Sequence, residues 1–590
     1  MKYDNKNFIL AIVLSMLIIF GWQYFYAGPI AKKQAEQQTA QQTTVTTTTA
    51  GGQVPGAAVP AAVTRDEAVK ATPRLQIKTD FVEGSINLQG AQIDDLRLIK
   101  YRETIDPNSP TIAFLSPAGT PGALFAEQGF VPAAGTLAKL PDPKTLWTAP
   151  AGAVLGEDRP VTLSWDNGEG LVFSRTISID DEYVFSIAQS VKNNTSNPVA
   201  LIPYARIQRQ DTPKIAGWWV FYEGMLGVFG NSLTEVKYKD VVDAKDPTNV
   251  ESAAGGWLGF TDKYWAAALI PDQQKSMIAT FLHQKQGERD VYQTDYLGKD
   301  ALIVQPNGSA SYQDQFFAGA KVVRTINAIG DKYKIVRFDL MIDWGWFYFL
   351  TKPMFYLLEW LKNLVGNFGI AILLATVLVK AAVFPLANKS YASMSKMKKL
   401  QPEMTKLKEL YPDDRAKQQQ GMMELYKREK VSPLSGCLPV LVQVPVFFSL
   451  YKVILTSIEL RQAPFYGWIH DLSAPDPTHI FNLFGLLPFT PPAMLAIGIW
   501  PLLMGITMWV QMRLNPTPPD PVQASLFNWM PVIFTFMLGT FPVGLVIYWA
   551  WSNTLSIIQQ SIIMKRNGVD VNLFGNIRES LPFLKKKTPA

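Results

Sequence analysis

Lys380 is the residue of this chain whose position most needs a chemical reason. It is the only charge in residues 365–387 (VGNFGIAILLATVLVKAAVFPLA), a stretch long enough to cross a bilayer. On a helix rising about 1.5 Å per residue, it lies roughly 6 Å from the midpoint of that stretch. Inserting an ionisable group at such depth costs on the order of 3 kcal/mol or more. The chemistry open to a buried ammonium is electrostatic: it attracts carboxylates. Thr376 sits one helical turn before it on the same face. Gln443 lies in the next apolar run, and Tyr548, Trp549, Asn553, Gln559 and Gln560 lie in the last one. No carboxylate stands within the apolar runs to neutralise the lysine, so two solutions compete. Either Lys380 lines a water-containing groove open to the cytoplasm, or it snorkels to the inner headgroups.

Other chemistry has little support. One cysteine, Cys437, allows no intrachain disulfide, and His283, His470 and His479 show no metal-ligand spacing. No nucleophile elbow, zinc-protease or phosphate-loop motif is present, so neither an enzyme activity, a metal nor a cofactor is expected. The chain is 48% hydrophobic and 18% charged, with the apolar residues clustered, which describes a membrane protein with a soluble part. Net charge is +6, but residues 75–343 are not a basic domain, so no specific nucleic-acid sequence is expected as a partner.

The elements that must position Lys380 follow from texture. Residues 1–27 read as an uncleaved apolar anchor ending in Trp22, Tyr24, Phe25 and Tyr26, with a cleaved signal peptide as the alternative. Residues 28–74 are Gln-, Thr-, Ala- and Pro-rich and read as a disordered tether. Residues 75–343 alternate in short strands with Gly, Pro and Asn turns. Ile177 and Ile179, then Asp180-Asp181, then Phe185 and Ile187 predict a hairpin, and the stretch around Trp265 a buried strand. This is a large antiparallel β-sandwich with helix near its C-terminal edge. In residues 344–387, 353–361 read as an interfacial helix and 365–387 as a span. Further spans are expected at 434–457, 493–513, 524–541 and 543–564, within a core at 433–564, the last two separated by a turn at Phe541-Pro542. The 524–541 run barely reaches across a bilayer, which predicts local thinning.

Charge sets the orientation. Residues 388–432 carry eleven Lys and Arg, the tail 565–590 is basic, and 459–492 carries only Arg461. Six spans with both termini cytoplasmic and 28–343 on the outer side satisfy every short loop. Residues 388–432 form a helical hairpin with Met397, Met404, Met422 and Met423. These methionines either bind varied apolar partners, beside lysines that attract acidic lipids, RNA or nascent chains, or fill the hairpin's own core.

Several stretches resemble one family. YKREKVSPLSGCLP (426–439) and QVPVF (443–447) are similar to the entry of the third span of YidC/Oxa/Alb-type membrane protein insertases. ELRQAPF (459–465), WIHDLS (468–473), NWMPVIF (528–534), FPVGLVIYW (541–549) and DWGW (343–346) match the same family, in its Gram-negative form with a large periplasmic domain. The resemblance is close over 339–564. It implies a polytopic α-helical protein of the bacterial inner membrane, with six spans, five of them forming an insertase bundle. It implies nascent membrane proteins as substrates, alone or beside the Sec translocon, with the ribosome and membrane lipids as further partners. It also implies a hydrophilic groove whose central positive charge falls at Lys380, with Thr376, Gln443, Tyr548 and Trp549 lining it or meeting the substrate helix. The family's usual residue at Lys380 is arginine. Lysine keeps the charge but loses the bidentate fork. A secondary transporter and a membrane-anchored periplasmic enzyme or sugar-binding protein are the rival readings. The first lacks visible inverted repeats, and the second leaves Lys380 unexplained.

Overall fold

The computed structural model describes residues 63–214, 221–244, 246–412, 414–431, 438–485, 487, 492, 497–515 and 521–569. The expected anchor at 1–27, most of the tether, Cys437 and residues 570–590 lie outside them. The chain divides into two compact units, with the main boundary between Met341 and Ile342.

The first unit is two β-sheets, nearly all antiparallel. One runs Thr248–Ser252, Met277–Gln286, Arg289–Gly298, Val199–Gln210, Leu124–Pro132, Gln92–Arg102, Val82–Asn87, Arg74–Lys78 and Val154–Leu155, with Leu302–Val304 and Thr111–Leu115 paired at its sides. The other runs Ser232–Val236, Gly224–Phe229, Trp257–Thr261, Trp265–Ile270, Ser309–Ala320, Val184–Asn193, Leu171–Ile179 and Val161–Asp166. The expected hairpin is present: Ile177 pairs Ile187, and burial alternates along Leu171–Ile179. Its turn is closed by Asp180 Oδ1, which accepts from the backbone N–H groups of Glu182 and Val184. Trp265–Ile270 is the expected buried strand. The helix expected at the C-terminal edge is Val323–Lys332.

The core is aromatic but not wholly apolar. Asp314 is 1% exposed and accepts from the Tyr296 hydroxyl at 2.5 Å. Buried Arg175 donates to the carbonyls of Ala91 and Gln128. Arg209 forks onto both Asp262 oxygens at 2.6 Å, the bidentate geometry that satisfies a buried guanidinium.

One boundary differs from the sequence expectation. The tether was expected to run to residue 74, but Arg65–Lys70 is a helix (α1) and a strand begins at Arg74. Thr64 and Glu67 form a reciprocal capping box that starts α1.

The second unit is helical. Its helices are α2 (Tyr348–Val365), α3 (Phe368–Ala382), α4 (Phe384–Lys399), α5 (Gln401–Leu410), α6 (Arg415–Arg428), α7 (Leu438–Thr456), α8 (Ile499–Leu514), α9 (Pro521–Leu538) and α10 (Val543–Arg566). The short helix at 238–243 belongs to the first unit and carries no label. The nine-residue interfacial helix expected at 353–361 is an 18-residue helix. Met354, Phe355, Leu358 and Leu361 of α2 are buried, while Tyr348, Phe349, Tyr356, Trp360 and Leu364 are exposed. Gly366, at φ +76°, ends it.

Among the described residues, no single helix is long and apolar enough to cross a membrane. Only α3 and α4 pass that test together, and they bend by 68°. The straight span expected over 365–387 is therefore corrected: it breaks at Val383. Pro385, in the first turn of α4, supplies the reason. It has no N–H to donate to the preceding turn, so the helical hydrogen-bond ladder is interrupted there. α3 and α8, at 15 and 16 residues, are short, and α10 carries Ser552, Asn553, Ser556, Gln559 and Gln560. The expected turn between the last two helices is present, with α9 ending at Leu538 and α10 starting at Val543.

Candidate functional site

α3 begins with Asn367, whose side chain accepts from the Ile370 N–H at 3.1 Å. Phe368, Ala371, Ile372, Ala375 and Thr376 form its buried face, while Leu374, Val377 and Leu378 are exposed. Lys380 continues the buried face one turn beyond Thr376 and is half-buried. Its Nζ donates to Ser556 Oγ on α10 at 2.8 Å. Among the described residues that neutral hydroxyl is its recorded partner, so no carboxylate cancels the charge.

Thr376 is 3% exposed, and its hydroxyl donates back to the Ile372 carbonyl at 2.7 Å. Thr376 thus lies beside the lysine's path without bonding to it. Gln443 on α7 is bonded through Nε2 to the Tyr548 hydroxyl on α10. Trp549 packs against Phe447 and Phe534, with ring centroids 4.8 and 5.6 Å away. Asn553 reaches Thr507 at 3.4 Å and Gln560 reaches Asn515 at 3.0 Å, so these two polar groups join α10 to α8 and its end.

The structure thus brings Lys380 and Gln443 to one helix at two levels. Tyr548 and Ser556 are eight residues apart on α10, about 12 Å along the axis. Sequence reasoning missed Ser556. A signal was available: Tyr548, Ser552, Ser556 and Gln560 recur every four residues, all are buried, and that spacing lines one helix face.

A second lysine was also missed. Lys452, inside the apolar α7, is 7% exposed, and its Nζ sits 2.6 Å from Asp343. Among the described residues the two lysines therefore differ in kind: Lys452 pairs with a carboxylate and Lys380 with a neutral hydroxyl.

In the hairpin, Leu400, Met404, Leu425 and Val431 are buried together, with Leu407, Met422 and Tyr426 packed against them. Gly421 lets α5 and α6 approach closely, since a Cβ there would lie 3.1 Å from Leu407. The helix before the hairpin ends at Lys399 and α5 begins at Gln401, so Met397 belongs to α4, not to the paired helices, and is half-buried. Met404 and Met422 thus face the hairpin's own core, while Met423 is 53% exposed.

An antiparallel β-sandwich followed by a bundle of apolar helices carrying amide, hydroxyl and ammonium groups defines a two-part protein, a β-rich domain joined to an apolar helical unit. Residues 74–357 match the family model described as the YidC periplasmic domain, and 360–569 match the model described as 60Kd inner membrane protein. A curated relative from Bradyrhizobium diazoefficiens, named membrane protein insertase YidC, is 52% identical, covering 100% of both chains. One of the same name from Nitrobacter hamburgensis is 53% identical over 98% of both. A crystal structure titled as an active YidC insertase with its first transmembrane domain resolved aligns at 19% identity and a TM-score of 0.35. It covers 83% of this chain and 95% of its own. The chain belongs to the YidC family of inner-membrane proteins with a periplasmic domain, whose members are named for membrane insertion and not for bond chemistry.

Proposed function

We propose that this protein inserts nascent membrane proteins into the inner membrane through a hydrophilic groove open to the cytoplasm, with Lys380 as its central charge. The observation that carries the reading is the hydrogen bond of Lys380 to Ser556, a neutral partner, inside a set of apolar helices. An ammonium left without a counter-charge attracts acidic residues in the polar tail of an incoming segment. The groove hydrates that tail partway across, and the apolar segment then moves sideways into lipid, driven by burial of about 20 apolar residues.

Exposed Leu374, Val377 and Leu378 on α3, Leu503 and Ile506 on α8, and Val532, Ile533 and Phe536 on α9 support a lipid-facing surface. α3 spans about 22 Å and α9 about 27 Å, less than an average hydrocarbon core, which supports a thinned bilayer around them. In this reading the 1–27 anchor and five C-terminal segments make six spans with both termini cytoplasmic. Tyr548, Trp549, Thr376 and Gln443 border the substrate path. The Sec translocon and the ribosome are working partners, and Met423 and Met397 offer the hairpin's apolar contacts.

Lys380→Glu tests the charge. Insertion of substrates with acidic N-terminal tails should fall sharply while the variant accumulates normally in the membrane. Crosslinking of a stalled nascent chain to positions around Lys380 and Trp549 tests the path. Wild-type insertion by Lys380→Glu would sink charge capture, and a stalled chain that never labels these positions would sink the groove.

A further inference from the structure

Three helices converge on one hydroxyl. Lys380 of α3 donates to Ser556 Oγ of α10 at 2.8 Å. The Tyr391 hydroxyl of α4 lies close enough to interact with the same Ser556. Ser556 is 3% and Tyr391 5% exposed. The 68° bend at Val383 makes this meeting possible, because it turns α4 back so that Tyr391 packs with Ala387, Met394 and Ile563 of α10.

The donor inventory fixes the direction of the chain. An ammonium only donates, so Ser556 must accept from Lys380. The serine's single hydrogen is then free for the Tyr391 oxygen. One of the three ammonium hydrogens is used, which leaves two for a substrate carboxylate. A lysine stem is long and rotationally free, and it loses entropy whenever its head is fixed. A serine that holds the head beforehand removes part of that cost from substrate capture.

We propose that Ser556 is a positioning residue for Lys380, oriented in turn by Tyr391, and that it prepares the ammonium for acidic substrate tails. The inference rests on the charge-capture reading above. It adds that α4, the helix leading into the cytoplasmic hairpin, is tied to the cation through Tyr391.

The test uses the full chain in membranes and one substrate in two forms, with an acidic tail and with the same tail neutralised. Ser556→Ala should lower insertion of the acidic form about fivefold to tenfold, and clearly more than the neutral form. Ser556→Thr, which keeps the hydroxyl, should restore it. In a Lys380→Gln background Ser556→Ala should add no further loss, since the group it positions is gone. Tyr391→Phe, which keeps the ring and its packing, should cause a smaller loss of the same selectivity, and it serves if Ser556→Ala fails to accumulate.

Equal losses for both tails, or losses that add in the double variant, would overturn the positioning role. So would a normal Ser556→Ala in a protein where Lys380→Gln is impaired, and that result would leave charge capture standing. A Lys380→Gln variant with undiminished preference for acidic tails would overturn charge capture itself, and this inference with it.

Discussion

Lys452 and Asp343 form a 2.6 Å ion pair that fastens α7 to the segment leading into α2. Gly345 makes room for it: at φ +70° it turns the chain beside the lysine, and a Cβ there would lie 3.3 Å from the Lys452 Cε. The Lys452 side chain is 8% exposed and that of Asp343 26%, so the lysine depends on its partner more than the aspartate does. Among the described residues Lys452 is thereby paired with a carboxylate, whereas Lys380 bonds a neutral hydroxyl.

Removing one partner should therefore destabilise the helical unit. Asp343→Asn removes the carboxylate that pairs at 2.6 Å with a nearly buried ammonium. The expected loss is about 3 kcal/mol for a fully buried pair, and nearer about 2 given the partial exposure of Asp343. Thermal unfolding of the purified protein in detergent, followed by the far-ultraviolet helical signal, measures it. Replacing both partners by apolar residues of similar size, Lys452→Met with Asp343→Leu, should recover most of the loss. An Asp343→Asn variant as stable as the parent would remove the pair from the list of forces holding α7.

The β-unit should respond to pH through its buried carboxyls. Burial raises Asp314 from 3.8 to about 7 and Asp295 from 3.8 to about 6. A raised carboxyl pKa means that the folded state holds a proton the unfolded chain has already released. Stability from these groups is therefore full below the unfolded value of 3.8 and declines as pH rises, until it is lost above about 7. The slope is on the order of 1 kcal/mol per pH unit. Denaturant unfolding of the full chain, followed by fluorescence of β-unit tryptophans, should show higher midpoints at pH 5 than at pH 7.5. Asp314→Asn, which keeps an acceptor for Tyr296, should flatten that difference. An unchanged difference in this variant would assign the pH response to other groups.

Much of this architecture is legible in the sequence, and the failures have physical causes. The Asp180 hairpin and the Phe541-Pro542 turn were readable because side-chain alternation and proline act locally. The Val383 bend was missed because hydropathy averages over the window and hides Pro385, which carried the signal. Helix α1 was missed because its capping box, Thr64 with Glu67, follows a low-complexity stretch that suggests no structure. Lys452–Asp343 and Lys380–Ser556 join residues 109 and 176 positions apart. No local pattern reports such pairs. Serine in an apolar run also looks neutral until a donor is seen to reach it.

The hairpin methionines should separate into two groups. Met404 is 7% exposed and packs under Tyr426, whereas Met423 is 53% exposed. Met404→Ser should loosen the hairpin by about 2 kcal/mol or more, seen as faster proteolytic cleavage between α5 and α6. Met423→Ser should leave cleavage unchanged and lower only the crosslinking of nascent chains to the hairpin. If Met404→Ser cleaved at the parental rate, its place in the hairpin core would be wrong.

The bond between Gln443 and Tyr548 makes the complementary test to Lys380, because both of its partners are neutral. Tyr548 is 3% exposed, so removing its hydroxyl leaves the Gln443 amide without a buried acceptor. Tyr548→Phe should cost about 1 kcal/mol of stability. A double-mutant cycle with Gln443→Leu should return a coupling of similar size, since the second change removes the donor left stranded by the first. Insertion should fall by the same factor for acidic and neutral tails, because no charge is involved. A preference for one tail over the other in Tyr548→Phe would mean that this level of the site also senses charge. Strictly additive losses in the cycle would mean that the two side chains do not act on each other.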